Sequence, residues 1–397
     1  MISLAEAYEI VQNNAHDFGV ETIPLALGIG RVLQEDWHGD RELPPYDRIT
    51  MDGIAIHYAT AVQLDRFPVA GVVAAGDPEA EFLNTEHCLE VMTGAMLPRG
   101  CDTVIRYEDV DIVDGVAKIN VAYSKGQNIH NRGEDRAKGE LLVEKGTLLS
   151  ASEIGVGASI GKARITVSCL PKTIIISTGN ELVEIDQQPA AHQIRRSNVY
   201  RLQASLQHLN VPVDTAHLVD DEELIVKKLQ EFLRDYDLII LSGGVSMGKF
   251  DFLPNALDRL GVTKLFHRVA QRPGKPFWFG HHTDFKATVF ALPGNPVSSF
   301  MCTQVYLLDW LRTSLGMQIP QRPYAILQSD VEFAPDLTYL LEVKINYNQE
   351  GQILAHPKKG HGSGDLANLL HGDAFIRLER GQRHFPAGTV HELFFYR

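Results

Sequence analysis

The stretch TVFALPGNPVSSF, residues 288–300, runs from an unbroken apolar segment through a glycine and two prolines into a helix start. Two others have the same form: KTIIIST followed by GNELVE (172–184), and DLIILSGGVSMGKFD (237–251). Apolar, β-branched runs without alternation read as strands buried on both faces of a parallel sheet. Loops at the carboxyl ends of such strands form the crevice where ligands bind. Gly179, Gly243, Gly244 and Gly294 allow close backbone approach, and the helix starts that follow offer free N–H groups to a phosphate or oxyanion. Three such junctions predict one anion-binding cleft.

Outward from this block, 172–314 alternates strand and helix. IIIST, SNVYRLQASLQHL, VPVDTAHLV, DEELIVKKLQEFLRD, LIILS, FLPNALDRL and TVFAL lead into SSFMCTQVYLLDWLRTSL. That alternation predicts a doubly wound α/β fold. Residues 3–16 carry a helical stripe of Leu4, Ala7, Tyr8, Ile10 and Val11, with Ser3 as N-cap, expected to pack on something distant in sequence. Pro44 and Pro45 turn the chain, and 52–122 reads as short strands. Residues 125–168 start as a charged, polar stretch and end in a short helix and ARITVSC; past Pro320 short strands return.

Composition bounds the function. With 397 residues the chain is too long for one ordinary core, so two to four domains are expected. A net charge of -13 argues against a general nucleic-acid binder, because such affinity comes from Lys and Arg neutralising phosphates. No run reaches 18 uncharged apolar residues, and the first residues lack a basic and then apolar leader pattern, so no membrane role and a cytoplasmic location are expected. Cys88, Cys101, Cys169 and Cys302 are widely spaced and signal neither a zinc site nor a disulfide framework; buried, reduced thiols are expected. His281 and His282 in GHHTD, and His356 and His361, read as solvated loop histidines.

Carboxylates stand beside the glycine loops: Glu181, Asp220 with Asp221, and Asp251. Mg²⁺ takes one or two carboxylates and fills its shell with water and substrate phosphate, which suits a nucleotide or pyrophosphate. Capping a helix is the alternative role for Asp220 and Asp251, and the metal or substrate role is the one expected of Glu181 and Asp251. Ser298 can cap a helix or touch an oxyanion. Lys275, in RPGKPF between two prolines, is a candidate cation for a phosphate or tetrahedral oxyanion, with Arg272 beside it. Asp52, Thr93, Arg132, Glu134 and Asp135 sit in TMDG, MTGA and NRGED; chemistry alone does not distinguish functional roles from ordinary turns. G-x-S-x-G, G-x-G-x-x-G and G-x-x-x-x-G-K-[ST] are all absent, which disfavours a serine hydrolase, a Rossmann dinucleotide site and a P-loop.

Taken in order, PPYDRITMDGIA (44–55), MTGAMLPRGCDTVI (92–105), NIHNRGEDRAKGE (128–140), STGNELV (177–183), LSGGVSMGKFDF (241–252), RPGKPFWFG (272–280) and LPGNPVSSF (292–300) resemble the molybdopterin molybdenumtransferase family, which includes the carboxyl-terminal part of gephyrin. The ending, 361–393, is similar to that family's last domain. The resemblance implies four domains: an elongated discontinuous one (1–44 and 124–169), a β-rich insertion (45–123), a molybdopterin-binding α/β domain (170–316) and a C-terminal β-barrel-like domain (317–397). It implies a transferase that inserts molybdate into adenylylated molybdopterin, releasing AMP and forming molybdenum cofactor, with Mg²⁺ required. It also implies a homodimer whose cleft uses the α/β domain of one subunit and the insertion of the other. Molybdopterin adenylyltransferase and molybdoenzyme maturation proteins are admissible partners.

By motif, the resemblance makes Asp52, Thr93, Asp135, Glu181 and Lys275 catalytic. Gly179, Gly243, Gly244, Ser246, Pro293, Gly294, Asn295, Pro296 and Ser298 would bind the pterin nucleotide, and Glu181, Asp220 and Asp251 the metal. Three residues depart from the pattern. Ile54 replaces a tyrosine, Arg196 stands where Asp is common, and Glu342 stands where many members place an Arg that could meet molybdate. The alternatives are a gephyrin-like scaffold or binding protein, and a paralogue that inserts tungstate.

Overall fold

A computed structural model describes residues 1–245, 252–358, 360 and 362–397. Ser246, Asp251 and His361, singled out above, lie outside the described residues. Contacts divide the chain into two compact units, one of residues 1–34, 146–150 and 164–397, the other of 35–145 and 151–163.

The α/β layer of the first unit comprises β1 (Thr173–Thr178), α1 (Ser197–Gln207), β2 (Val213–Leu218), α2 (Glu222–Asp235), β3 (Leu238–Ser242), α3 (Leu253–Arg259), β4 (Thr263–His267), β5 (Trp278–His282), β6 (Ala287–Leu292) and α4 (Pro296–Cys302). Its strand order is β2-β1-β3-β6-β5-β4. The first four run parallel; β5 and β4 are antiparallel additions. Alternate residues of the central strands enter different cores. Ile175, Leu238, Ile240, Phe290 and Leu292 pack with α1, α4 and the amino-terminal helix, whereas Ile174, Ile176, Ile239, Leu241 and Val289 pack against Leu229, Leu233, Leu253 and Leu257. Burial on both faces is why these strands read as continuous apolar runs.

The amino-terminal helix Leu4–Asn13 has the expected Ser3 cap, closed into a capping box by Glu6. Its distant partner is the helix Leu308–Ser314: Tyr8 donates to Asp309 at 2.9 Å, and Trp310 Nε1 donates to the Asn14 carbonyl at 3.0 Å. The strand Val20–Pro24 pairs with Arg164–Ser168. His281 and His282 lie inside β5, not in a turn, and His282 is buried with Nε2 at 3.1 Å from the Leu260 carbonyl. The turn follows one residue later, because β5 must extend to pair with β6.

After Pro320 the chain closes a five-stranded barrel. Thr338–Tyr347 (β7) pairs with Ile353–Pro357, which pairs with Tyr324–Leu327, then Val390–Phe395, then Ala374–Leu378 and back to β7. The short strand Gln271–Arg272 of the α/β layer adds parallel to β7, placing Arg272 beside Tyr339.

The second unit is built on a six-stranded sheet in the order Thr103–Arg106, Gly53–Ile56, Cys88–Val91, Arg66–Val73, Val116–Ile119, Val110–Val113. Ile54 is fully buried in its core, so the side chain at this departure serves packing. All four cysteines are free; burial pushes the Cys88 and Cys101 thiols up to about 12, which keeps them unreactive. Among the described residues no helix is long and apolar enough to cross a membrane.

Gly53 follows Asp52 where two strands touch, and a Cβ there would lie 1.9 Å from the Ile105 carbonyl oxygen. Gly53→Ala is expected to cost at least about 1–3 kcal/mol by forcing those backbones apart. Chemical denaturation of the variant, read by tryptophan fluorescence and circular dichroism, measures this; an unchanged midpoint would refute the close approach.

Candidate active site

The carboxyl ends of β1, β2, β3 and β6 all open on one cleft of about 650 Å³. Its walls are the loops 177–182, 194–199, 242–245 and 293–296, with Asp220, Pro276 and Gly364 completing the rim. Gly179, Glu181, Asp220, Gly243, Gly244, Pro293, Gly294, Asn295 and Pro296 are therefore brought together, from the ends of four strands spread over more than a hundred residues of sequence. The volume suits a drug-sized or nucleotide-sized ligand.

The glycines do different work. Gly179 has φ +133°, and a Cβ would fall 2.4 Å from Glu181 Oε2. Gly243 (φ +104°) lies under Thr178, with a virtual Cβ 3.1 Å from its Oγ1. Both positions need glycine. Gly294 does not: its φ is ordinary, and a Cβ would meet Gly243 Cα at 3.5 Å, normal contact.

Asp220 does not cap a helix. Its backbone N donates to Asn180 Oδ1 at 3.1 Å, and Asn180 N donates back to Asp220 Oδ2 at 3.3 Å, tying the loops after β1 and β2. The cap of α2 is Asp221, accepting from Leu224 N at 2.9 Å. Among the described residues neither Glu181 nor Asp220 makes an ion pair, so two carboxylates line the cleft without a bound counter-charge. No cluster of three or more His, Cys, Asp or Glu able to hold a metal occurs among the described residues. Two carboxylates still fit Mg²⁺, which retains several waters and takes substrate phosphate oxygens.

Ser298 is buried inside α4 and lines neither this cleft nor its neighbour. Nor does it cap: Pro296 occupies the first turn and Asn295 is the cap residue. Lys275 is exposed; the flanking Pro273 and Pro276 line pockets while its own side chain does not.

Several positioning groups escaped the sequence reading. Asn198 Nδ2 donates to Ser242 Oγ (3.0 Å) and to the Gly294 carbonyl (2.8 Å), joining the loops after β3 and β6. Arg201, one helical turn on, donates through Nη2 to Asn198, to the Pro296 carbonyl (2.7 Å) and to Ser299. Burial lowers its guanidinium to about 10. The signal available was an Asn and an Arg at i, i+3 beside the buried stripe of α1. Arg195, exposed and on the cleft wall, adds a cation.

At the departure Arg196, the guanidinium is buried. It donates to Ser177 Oγ at 2.9 Å, to the Ala216 carbonyl at 3.1 Å, and to Glu184 in an ion pair. The loop bearing Glu181 is thereby clamped to β1 and β2.

A second, smaller pocket of about 230 Å³ adjoins the cleft at the start of α4. Arg272, Pro273, Val297, Gly362 and Ser363 line it together with Tyr339, Leu340 and Glu342 of β7, Lys358 and Gly360. Asn295 Nδ2 donates to Ser363 Oγ at 2.9 Å, and Val297 N to the Ser363 carbonyl at 3.0 Å, so the barrel loop is fastened to the start of α4.

Asp52, Thr93 and Asp135 belong to the other unit. Thr93 N donates to Asp52 Oδ1 at 2.6 Å and holds that carboxyl below its usual range. Asp135 lies 3.0 Å from His130 Nε2; Arg132 pairs with Glu42 at 2.9 Å. Glu134 accepts from Asn131 N at 2.9 Å.

With this geometry in view, family models match nearly end to end. The MoeA N-terminal region (domain I and II) covers residues 2–161, the probable molybdopterin binding domain 174–313, and the MoeA C-terminal region (domain IV) 324–393. The molybdopterin molybdenumtransferase of Synechocystis is 42% identical over 392 residues, spanning 98% of each chain. The chain belongs to the molybdopterin molybdenumtransferase family. The Bacillus subtilis member is 29% identical over 93% of this chain and 88% of its own. The crystal structure of the molybdopterin biosynthesis moeA protein from Pyrococcus horikoshii OT3 superposes with a TM-score of 0.84 at 27% identity, covering 100% of both chains. Multidomain architecture, α/β layer and terminal barrel are thus those of this family.

Arg196→Met removes a donor from Ser177 and Ala216 and the partner of Glu184. The expected loss is about 1–3 kcal/mol of stability, with faster amide exchange confined to residues 179–184. Exchange in that loop at the wild-type rate would show that Arg196 does not hold it.

Proposed function

We propose that this transferase inserts molybdate into adenylylated molybdopterin, forming molybdenum cofactor and releasing AMP in a Mg²⁺-dependent reaction. The observation that carries the reading is the pairing of a glycine-walled cleft bearing two unpaired carboxylates with a small cationic pocket adjoining it at the start of α4. The backbone around Gly179, Gly243 and Gly244 accommodates phosphates, and the start of α1 at Ser197 presents its positive end to them. Glu181 and Asp220 would hold Mg²⁺, which neutralises phosphate charge as the phosphoanhydride is cleaved. Arg272 and Lys358 attract the tetrahedral dianion in the small pocket. Molybdate and tungstate share shape and charge, so insertion of tungstate remains the alternative activity; a gephyrin-like scaffold role has no comparable feature in its favour.

The same reading includes a homodimer, in which the Asp52–Thr93 turn of one subunit serves the cleft of the other. It also includes a cytoplasmic location and receipt of substrate from a molybdopterin adenylyltransferase. Incubation with adenylylated molybdopterin, Mg²⁺ and either oxyanion tests the function: AMP and metal-loaded cofactor should appear together. AMP release without metal insertion would leave only a hydrolase.

Glu181→Gln keeps the side-chain shape and removes one charge, so it should leave the melting temperature nearly unchanged while turnover at limiting Mg²⁺ falls at least about tenfold, the worth of roughly 1.4 kcal/mol. Full activity at limiting Mg²⁺ would remove Glu181 from the metal site. For the shared cleft, mixing Asp52→Ala with Glu181→Ala subunits should restore part of the activity. No recovery in verified mixed dimers would place each site within one chain.

A further inference from the structure

The small pocket contains a charge arrangement that the reaction alone does not require. Arg272 and Lys358 make no ion pair among the described residues, yet a carboxyl, Glu342, is buried in the same wall. Glu342 does not neutralise either cation. Asn368 Nδ2 donates to its Oε2, and among the described residues Oε1 has no hydrogen-bond partner.

We propose that Glu342 is a proton-controlled specificity group: its neutral carboxyl admits a tetrahedral dianion between Arg272 and Lys358, and its ionised form expels it. This rests on reading the small pocket as the oxyanion subsite. Among the described residues, the two cations balance a dianion when Glu342 is neutral and leave one uncompensated negative charge when it is ionised. In a partly desolvated pocket that surplus is strongly felt.

The surroundings keep the neutral form accessible near physiological pH. Burial, reinforced by the negative charge of Asp365, pushes the Glu342 carboxyl up to about 7, against the opposing hydrogen bond from Asn368. From the carboxyl terminus faces Tyr396, whose phenol is driven up by burial first and by the charge of Glu342 second. On the neighbouring barrel strand Arg377 is committed to Glu379 and Glu392, and Lys344 of β7 to Asp373. Arg272 on its short strand and Lys358 after the next barrel strand are the remaining described cations of the pocket, and an incoming dianion would engage both. Ionisation of Glu342 therefore meets no committed counter-charge, and a bound dianion favours its protonated form. By linkage, oxyanion affinity is highest below about pH 7 and falls as pH rises, by up to about tenfold per pH unit once the free group is ionised.

The test is calorimetric titration of molybdate, and separately of sulfate, into the full chain at about pH 6.5 and about pH 8.5. Sulfate is a tetrahedral dianion with no insertion chemistry. Wild type should bind both anions at least about tenfold more weakly at the higher pH. Glu342→Gln should bind with little pH dependence, and more tightly than wild type at about pH 8.5. A flat wild-type profile overturns the proposal, as does an unchanged slope in Glu342→Gln. Should that variant fail to fold, the wild-type profile decides, with Arg272→Ala expected to weaken binding at both pH values. Absence of anion binding to wild type at either pH overturns the gate and the oxyanion subsite together. The transferase reading is judged separately, by AMP release and cofactor formation in the insertion assay.

Discussion

Three parallel strands buried on both faces, with a fourth, half-exposed strand at their side and all ending at one edge, are the constraint on which the cleft depends. Because alternate residues of Thr173–Thr178, Leu238–Ser242 and Ala287–Leu292 enter two different cores, neither face of the sheet can be solvated, and helices must cover both. Each strand then has to leave by its carboxyl end into a loop that reaches the next helix. Four such loops meet at one edge and form the walls of the cleft. Asn198 and Arg201 bind these loops to one another, so the cleft is held by hydrogen bonds that none of the glycine motifs contains.

The barrel is joined to this edge by backbone and not by apolar contact alone. The strand Gln271–Arg272 adds to Thr338–Tyr347, and the Ser363 loop bonds to Asn295 and Val297. Those two connections create the small pocket between Arg272 and Glu342. An anion seated there would lie next to the larger cleft, which is the spatial requirement for chemistry that joins an oxyanion to a bound nucleotide conjugate.

The three departures from the family pattern have three different physical outcomes. Ile54 is absorbed by a core and becomes a packing residue. Arg196 is buried but satisfied, since Ser177, Ala216 and Glu184 take its donors; the charge is compensated locally and the residue becomes a clamp. Glu342 is buried with one amide donor and, among the described residues, no cation bound to it, and burial raises its carboxyl to about 7. A substituted buried charge is structural where the fold supplies its counter-charge, as Glu184 does for Arg196.

Much of this was written locally in the chain. Apolar runs of the right length, glycines at strand ends and a Ser3–Glu6 capping box are short-range signals, and strand, turn and cap chemistry act over a few residues. Hence the parallel layer, the glycine loops and the nearby carboxylates Glu181 and Asp220 could be named from the amino acids alone. Ser298 shows the limit of such signals, because a motif states which residues adjoin, not which way a side chain points: one turn of helix buries it. Exposed Lys275 and the better-placed Arg272 differ by three residues in sequence. Only the pairing of Arg272 with a strand some sixty-five residues away settled which cation lines the pocket, because β pairing between distant segments depends on the packed whole and leaves no local mark.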